Sequence, residues 1–233
     1  MPDLDAYGWA LLLLVVVLAI AFDFINGFHD TANAIATVVS TRVLTASAAI
    51  AMSASLNFVG ALTGQAVAKT ITAGLLDADA MSRLAYGPAQ LVVIGALVAA
   101  IIWNLITWYF GIPSSSSHAL IGGVVGAGAA ALTVGGVLWG GLLTKVVLPL
   151  ILSPIMGFII ATLFMRLLLW LFASSSPHRV GATFRNLQVL SAAFMAFSHG
   201  SNDAQKTMGV ITLALFSAGA SLELDASGVP NIP

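Results

Sequence analysis

Apolar runs of about 20 residues, the length that carries an α-helix across roughly 30 Å of hydrocarbon, recur along the chain. They predict an all-α fold: a polytopic transmembrane helical bundle rather than a barrel. The first run, Leu11 to Phe22, follows an acidic N-terminus with Asp3 and Asp5. A cleaved signal peptide would need a basic start and a small-residue cleavage site, and this run leads straight into Asp23 instead. The stretch Asp23-Phe24-Ile25-Asn26-Gly27-Phe28-His29-Asp30-Thr31-Ala32-Asn33 sets two carboxylates, two amides and an imidazole where a lipid-facing helix carries none. Each carboxylate at a helix centre costs about 2.5–3.5 kcal/mol on insertion scales, so the stretch predicts a functional site in a discontinuous helix, opened at Gly27. The helix resumes over Ala34 to Val39, and Arg42 marks the water interface.

A second span runs from Ala46 to Ala68, with Asn57 and Gln65 inside it and Lys69 at its end. A polar loop with Asp77, Asp79, Arg83 and Gly87-Pro88 leads to a third span, Leu91 to Phe110, whose second half gathers Trp103, Trp108, Tyr109 and Phe110 as a headgroup belt. Gly111-Ile112-Pro113-Ser114-Ser115-Ser116-Ser117-His118 then reads as the tip of a re-entrant hairpin, its second arm starting near Ser117. Val137 to Phe172 exceed one membrane thickness, and Pro149 and Pro154 kink or split them, which leaves one crossing and two both open. Arg166, His178, Arg179 and Arg185 make residues 173–186 a basic cytoplasmic loop by the positive-inside rule, with the N-terminus outside. A last broken span, Leu187 to Phe216, passes through Phe197-Ser198-His199-Gly200-Ser201-Asn202-Asp203-Ala204-Gln205-Lys206-Thr207, and a polar tail follows.

Composition agrees with a membrane protein: of 233 residues 59% are hydrophobic and 7% charged, against roughly 25% charged in soluble domains. The lipid bilayer is thus the first partner. The absence of cysteine excludes disulfides, thiolate metal sites and cysteine nucleophiles. No basic patch interleaved with aromatics suggests nucleic acid.

Setting Gly27 against Gly200 aligns Asp30 with Asp203, His29 with Asn202 and Asn33 with Lys206. Two copies of one polar motif in equivalent apolar settings indicate an inverted repeat around a midplane site, as in secondary transporters. The expected organisation is a first repeat over residues 1–172, the basic loop 173–186, the start of a second repeat over 187–217, and the tail 218–233.

Three segments carry a resemblance to inorganic phosphate transporters of the PiT type: Phe24 to Ala34, Gly111 to His118 and Phe197 to Lys206. His29 and Gln205-Lys206 resemble the low-affinity bacterial branch. The resemblance implies inverted repeats with re-entrant hairpins, a multi-pass protein of the bacterial inner membrane, and transport of phosphate or metal-phosphate in symport with a cation. Members of that family carry a second Pro-x-Ser-Thr-Thr-His hairpin after the second Asn-Asp motif. This chain has none, so it is expected to correspond to the first part of a transporter, whose other half a missing segment or a second copy in a homodimer would supply.

The chemistry follows from charge. Phosphate must exchange its hydration shell for fixed donors, and Ser114, Ser115, Ser116 and Ser117 with the following helix N-terminus form a candidate anion cup, joined by Thr31, Asn33, Gln205 and Lys206. A carboxylate beside phosphate is repelled, so Asp30 and Asp203 imply a co-transported cation, H⁺, Na⁺ or a divalent metal, with Asp23, Asn26 and Asn202 as further ligands. No other cofactor is expected. His29 and His199 are candidate metal ligands, whereas His118 reads better as a hydrogen-bonding scaffold residue. Lys206, standing where the first repeat has Asn33, supplies a fixed positive charge that could replace one bound cation. Structural readings stand beside these: serines that only cap a helix, and Asp30 and Asp203 paired with Lys206 or an arginine. Sulfate is the rival cargo. An anion channel needs no buried Asp in each repeat, and an intramembrane serine hydrolase lacks its Gly-x-Ser-x-Gly elbow.

Overall fold

The computed structural model describes residues 4–63, 68, 71 and 74–217. Gln65, Lys69 and the tail lie outside the described residues. The described chain forms α1 (Ala6–Ser40), α2 (Ala46–Ala61), the short α3 (Ala78–Ser82), α4 (Tyr86–Phe110), α5 (Ser116–Leu132), α6 (Trp139–Leu171) and α7 (Pro177–Ser217). Of these, α1, α4 and α6 are long and apolar enough to cross a membrane. The molecule is a multi-pass all-α membrane bundle.

The expected helix breaks are absent. Helix α1 runs for 35 residues straight through Asp23 to Asn33, and α7 for 41 through Phe197 to Thr207. Gly27 keeps helical geometry, with open space where a Cβ would stand. The physical reason is that the polar side chains of α1 find partners on α7 and α5, so no backbone group has to be freed to satisfy them. Opening the ladder within hydrocarbon would only add unsatisfied N–H and C=O groups. A second correction concerns the basic segment: the chain turns at residues 172–176 and is helical from Pro177 onward, so Arg179 and Arg185 lie on α7 rather than in a loop. Proline at a first helical position gives up only an N–H that has no partner there. Residues 139–171 form one helix, not two. A wider π turn at Leu143–Val147 precedes Pro149 and gives its ring room, and Pro154 is carried inside.

Helices α1 and α7 cross antiparallel, with Asp23 beside Thr207, Asn26 beside Asp203 and Thr41 beside Gln188. Helix α4 lies parallel to α1: Tyr86 donates to the Gly8 carbonyl at 2.9 Å, and the rings of Phe28 and Trp108 meet edge-on at 5.5 Å. At Gly111 the chain takes φ 64°, a left-handed cap suited to glycine, and α5 returns antiparallel along α4. The core gathers Val15, Ala19 and Phe22 of α1, Leu97 of α4, Leu120 of α5 and Val210 of α7.

Helices α4 and α5 form a hairpin around Gly111. Its tip meets α1 at Asp30, through Ser116, and α1 continues to Ser40, about 15 Å further at 1.5 Å per residue. The returning arm has 17 residues, about 25 Å, short of a full crossing. Helix α6 has no fully buried residue, though Leu142 and Val146 pack against the core, and apart from Lys145 and Arg166 it is almost entirely apolar, as suits a helix facing lipid.

Candidate functional site

The site lies where α1, α7 and the tip of α5 meet. Along α1 the spacing of Asp23, Asn26 and Asp30 puts all three on one face, and along α7 His199, Asp203 and Lys206 do the same. The antiparallel crossing turns these two polar stripes toward each other. Asn26 donates to Asp203 Oδ2 at 2.8 Å, and Thr207 donates to Asp23 Oδ1 at 3.2 Å. Asp203 Oδ1 pairs with Lys206 Nζ at 2.8 Å, and that buried ammonium also lies 3.4 Å from Ser116 Oγ. Ser116 in turn donates to Asp30 Oδ2 at 3.0 Å, while His29 Nδ1 holds Asp30 Oδ1 at 2.8 Å. The two carboxylates of the repeat are therefore linked through one serine and one lysine.

The repeat alignment has a geometric counterpart. Pairing Gly27 with Gly200 exchanges Asn26 with His199 and Asp30 with Asp203, so the contact Asn26–Asp203 has His199–Asp30 as its twofold mate. Ligand atoms of Asp30, His199 and Asp203 do lie within 4.8 Å of one another. A cavity of about 400 Å³ opens beside them, lined by Asp23, Asn26, Thr31, Asn57, His199 and Asp203 among others.

Helix α2 forms the opposite wall. A Cβ on Gly200 would collide with the backbone of Asn57, so glycine there allows α2 and α7 to touch main chain to main chain. That approach brings Asn57 Oδ1 to 2.7 Å from His199 Nδ1, while Asn57 Nδ2 donates to the Ser53 carbonyl at 2.8 Å and to Ser53 Oγ at 3.1 Å.

The expected residues divide into two groups. Asp23, Asn26, Asp30, Ser116, His199, Asp203 and Lys206 come together, with Thr31 on the cavity wall and His29 behind Asp30. Gln205 is buried and donates to the carbonyls of Thr63 and Ser201, on the α2 side. Asn33 is exposed, and exposed Asn202 donates to the Ser198 carbonyl. The four serines do not converge: Ser115 caps α5 by accepting from the His118 amide at 3.4 Å, Ser114 accepts from Trp103 Nε1 at 3.2 Å, and both line a groove with His118 away from Asp30. Ser117 sits half-buried beside them. His118 is exposed, and Ser116 reaches Asp30 with no imidazole between, an arrangement unlike a hydrolase triad.

Sequence reasoning passed over Asn57, Ser53 and Thr207 as site residues, and it passed over Asn104 outside the site. Asn104 is fully buried on α4, and neither its Oδ1 nor its Nδ2 has a hydrogen-bond partner among the described residues. The available signal was an amide inside an apolar span, which is costly in lipid without a role.

A bundle of apolar helices that buries charged and amide side chains at the crossing of two antiparallel helices defines a multi-pass integral membrane protein. The chain belongs to the phosphate transporter family, whose model matches residues 26–183 and 172–232. It is 46% identical over 221 residues to a probable low-affinity inorganic phosphate transporter of Bacillus subtilis (strain 168), covering 95% of this chain and 64% of that protein. The low-affinity inorganic phosphate transporter PitB of Escherichia coli (strain K12) is 37% identical over 250 residues, 97% of this chain and 50% of that one. The chain thus spans about half to two thirds of the length of these curated relatives. A solved structure, "The sodium-dependent phosphate transporter", shares the fold with a TM-score of 0.81 at 22% identity, covering 96% of this chain and 71% of that one. The family is one of transporters, not enzymes.

Proposed function

We propose that this chain carries inorganic phosphate across the membrane together with a cation, through the crossing of α1 and α7. The observation that carries the reading is the charge pattern there: Asp30 and Asp203, one lysine between them, and Ser116 bridging both. Phosphate cannot approach two carboxylates without a positive charge, and at an effective dielectric near 20 one unit charge repels another by about 4 kcal/mol at 4 Å. A cargo cation cancels that repulsion, so anion and cation fill the site together. The names of the relatives support phosphate as the anion, and Ser116 with Lys206 offers it a hydroxyl and an ammonium. A passive anion channel has no use for the carboxylates.

The test is uptake of radiolabelled phosphate by proteoliposomes with an imposed Na⁺ or H⁺ gradient, with sulfate as competitor. Gradient-driven uptake that Asp30→Asn and Asp203→Asn each abolish, while both variants insert and stay helical, is expected. Wild-type uptake by either folded variant would defeat the assignment, and inhibition by sulfate at concentrations equal to phosphate would move the cargo to tetrahedral anions in general.

A further inference from the structure

A groove of about 650 Å³ runs between α6 and α7 beside Thr37 of α1, and it shares no lining residue with the cavity at the crossing. Phe164 and Leu168 form its α6 wall, and Phe184, Leu187, Leu190 and Phe194 its α7 wall. From Phe184 to Phe194 that wall rises about 15 Å at 1.5 Å per residue, half of the roughly 30 Å of hydrocarbon and so the depth of one leaflet. The groove begins at the water end of the bundle. There the rings of Phe172, just past the end of α6, and Phe184 meet at 5.3 Å, and Gln188 meets Thr41, just past the end of α1, at 3.2 Å. Positive charge gathers at the same end: Arg185 follows Phe184 and stands one turn before Gln188, Arg42 follows Thr41, and Arg179 lies further out on α7, all three exposed. Among the described residues no carboxylate pairs with any of them. The acidic side chains described outside the crossing, Asp5, Asp77 and Asp79, lie at the opposite end, where Tyr86 meets Gly8 and Asp77 meets Gly136. Arg42 takes φ 56°, the left-handed conformation that favours glycine, so the turn alone does not call for an arginine there. Arg166, two residues from both Phe164 and Leu168, stands on the other side of α6 and takes no part.

We infer that this groove seats one phospholipid with a net negative headgroup, an acyl chain lying between α6 and α7 and the phosphate held at Arg185 and Arg42. The site is independent of the cargo. An apolar trough one leaflet deep that ends in guanidinium groups at the water interface repeats the order of the lipid itself, chain and then anionic head, whereas a free anion has no use for the trough. Arginine suits the head because its planar fork meets two phosphate oxygens at once, and basic surface beside the cytoplasmic ends of helices draws the anionic lipids of that leaflet. A second copy docking by the same face would bring its own arginines to the same mouth, and like charges would oppose it. The lipid chain also supplies what α6 lacks, since none of its residues is fully buried and a chain in the groove gives its Phe164 face an apolar neighbour on the side of α7.

Native mass spectrometry of the purified full chain in detergent reads the site, with phosphatidylglycerol or phosphatidylcholine of identical acyl chains as the probes and no inorganic phosphate in the buffer. The expected result is one phosphatidylglycerol retained per chain, bound about tenfold or more tightly than phosphatidylcholine because two arginines face its charge. Arg185→Gln combined with Arg42→Asn, a residue that tolerates the left-handed backbone there, should bring the two lipids to within about twofold of each other, chiefly by weakening phosphatidylglycerol. Ser191→Phe, which sets a ring into the groove, should weaken both lipids together, and circular dichroism checks that each variant remains helical. Equal retention of the two lipids by wild type overturns the inference, a result that depends on no variant folding. A preference that survives the double arginine variant overturns it as well. So does a concentration-dependent dimer that Ser191→Phe dissolves, which would put a second copy in the groove.

Discussion

Replacing Lys206 with asparagine, the residue at the matching position of the first repeat, removes the positive charge built into the site. Lys206 Nζ lies 2.8 Å from Asp203 Oδ1 with its side chain 5% exposed, a pair whose direct attraction is about 6 kcal/mol at an effective dielectric near 20. Much of that is offset by desolvation, and removing one member of a buried pair costs about 3–5 kcal/mol because the other charge is stranded. Asp203 then keeps the Asn26 donor on its far oxygen, with His199 Nε2 3.3 Å from that oxygen. A cation that enters from solution restores the lost charge, so the variant should bind phosphate weakly at low cation concentration and recover as Na⁺ or acidity rises. At 1.4 kcal/mol per factor of ten, the deficit corresponds to about 100-fold or more in apparent phosphate affinity at the lowest cation level. The assay is phosphate uptake into proteoliposomes across a Na⁺ series at two pH values. If Lys206 serves only to pair with Asp203, activity falls but the cation dependence keeps its wild-type shape. Identical cation dependence for Lys206→Asn and wild type would refute the substituted-charge reasoning.

The two hairpin serines should separate. Ser116→Ala removes a donor to Asp30 and an acceptor from Lys206, each worth about 1.5–3 kcal/mol beside a charge, so phosphate affinity by titration calorimetry should drop at least tenfold; Ser115→Ala, which loses only a cap of about 0.5–2 kcal/mol, should lower stability and leave affinity within a few-fold, and equal effects on affinity would show that both serines merely shape the turn. Gly200→Ala drives a Cβ into the Asn57 backbone and should cost about 1–3 kcal/mol of overpacking, read as a lower thermal midpoint in detergent. Gly27→Ala meets open space and should match or slightly exceed wild-type stability through better helix propensity; a larger loss at Gly27 than at Gly200 would count against the close α2–α7 approach.

The helical bundle, the hairpin tip and the paired motifs were legible because each leaves a local mark: a run of apolar residues, a Gly-Ile-Pro-Ser turn, a repeated Gly-x-x-Asp. Continuity of α1 and α7 was not. From sequence, a glycine amid carboxylates reads as a place where the backbone opens, but whether the polar groups need freed backbone depends on what stands across from them. Here it is Ser116 and Asp203, from segments 86 and 177 residues away along the chain. Asn57 escaped for the same reason, since its role depends on a contact that Gly200 permits and no periodicity encodes. The four serines looked equivalent in a row, yet a helix start turns successive side chains by about 100° each, so a single cap geometry sends Ser115 and Ser116 to different neighbours.

The near-symmetry of α1 and α7 also explains why the site can be stable and still open. Each repeat contributes one Asp, and each Asp faces the partner helix at the position three or four residues before that helix's own Asp. In one direction that position is Asn26, whose amide donates to Asp203 and closes the contact. In the other it is His199, whose Nδ1 lies 2.7 Å from Asn57 Oδ1 and whose Nε2 finds no hydrogen-bond partner among the described residues. The matched positions of the two helices carry different chemistry. One crossing contact is satisfied within the protein and helps hold the two charged stripes together at a cost the bilayer would otherwise forbid. Its mate, His199 with Asp30, stands beside the cavity without such a closing donor, so the two crossing contacts, matched in position, differ in that one is closed within the protein and the other is left open.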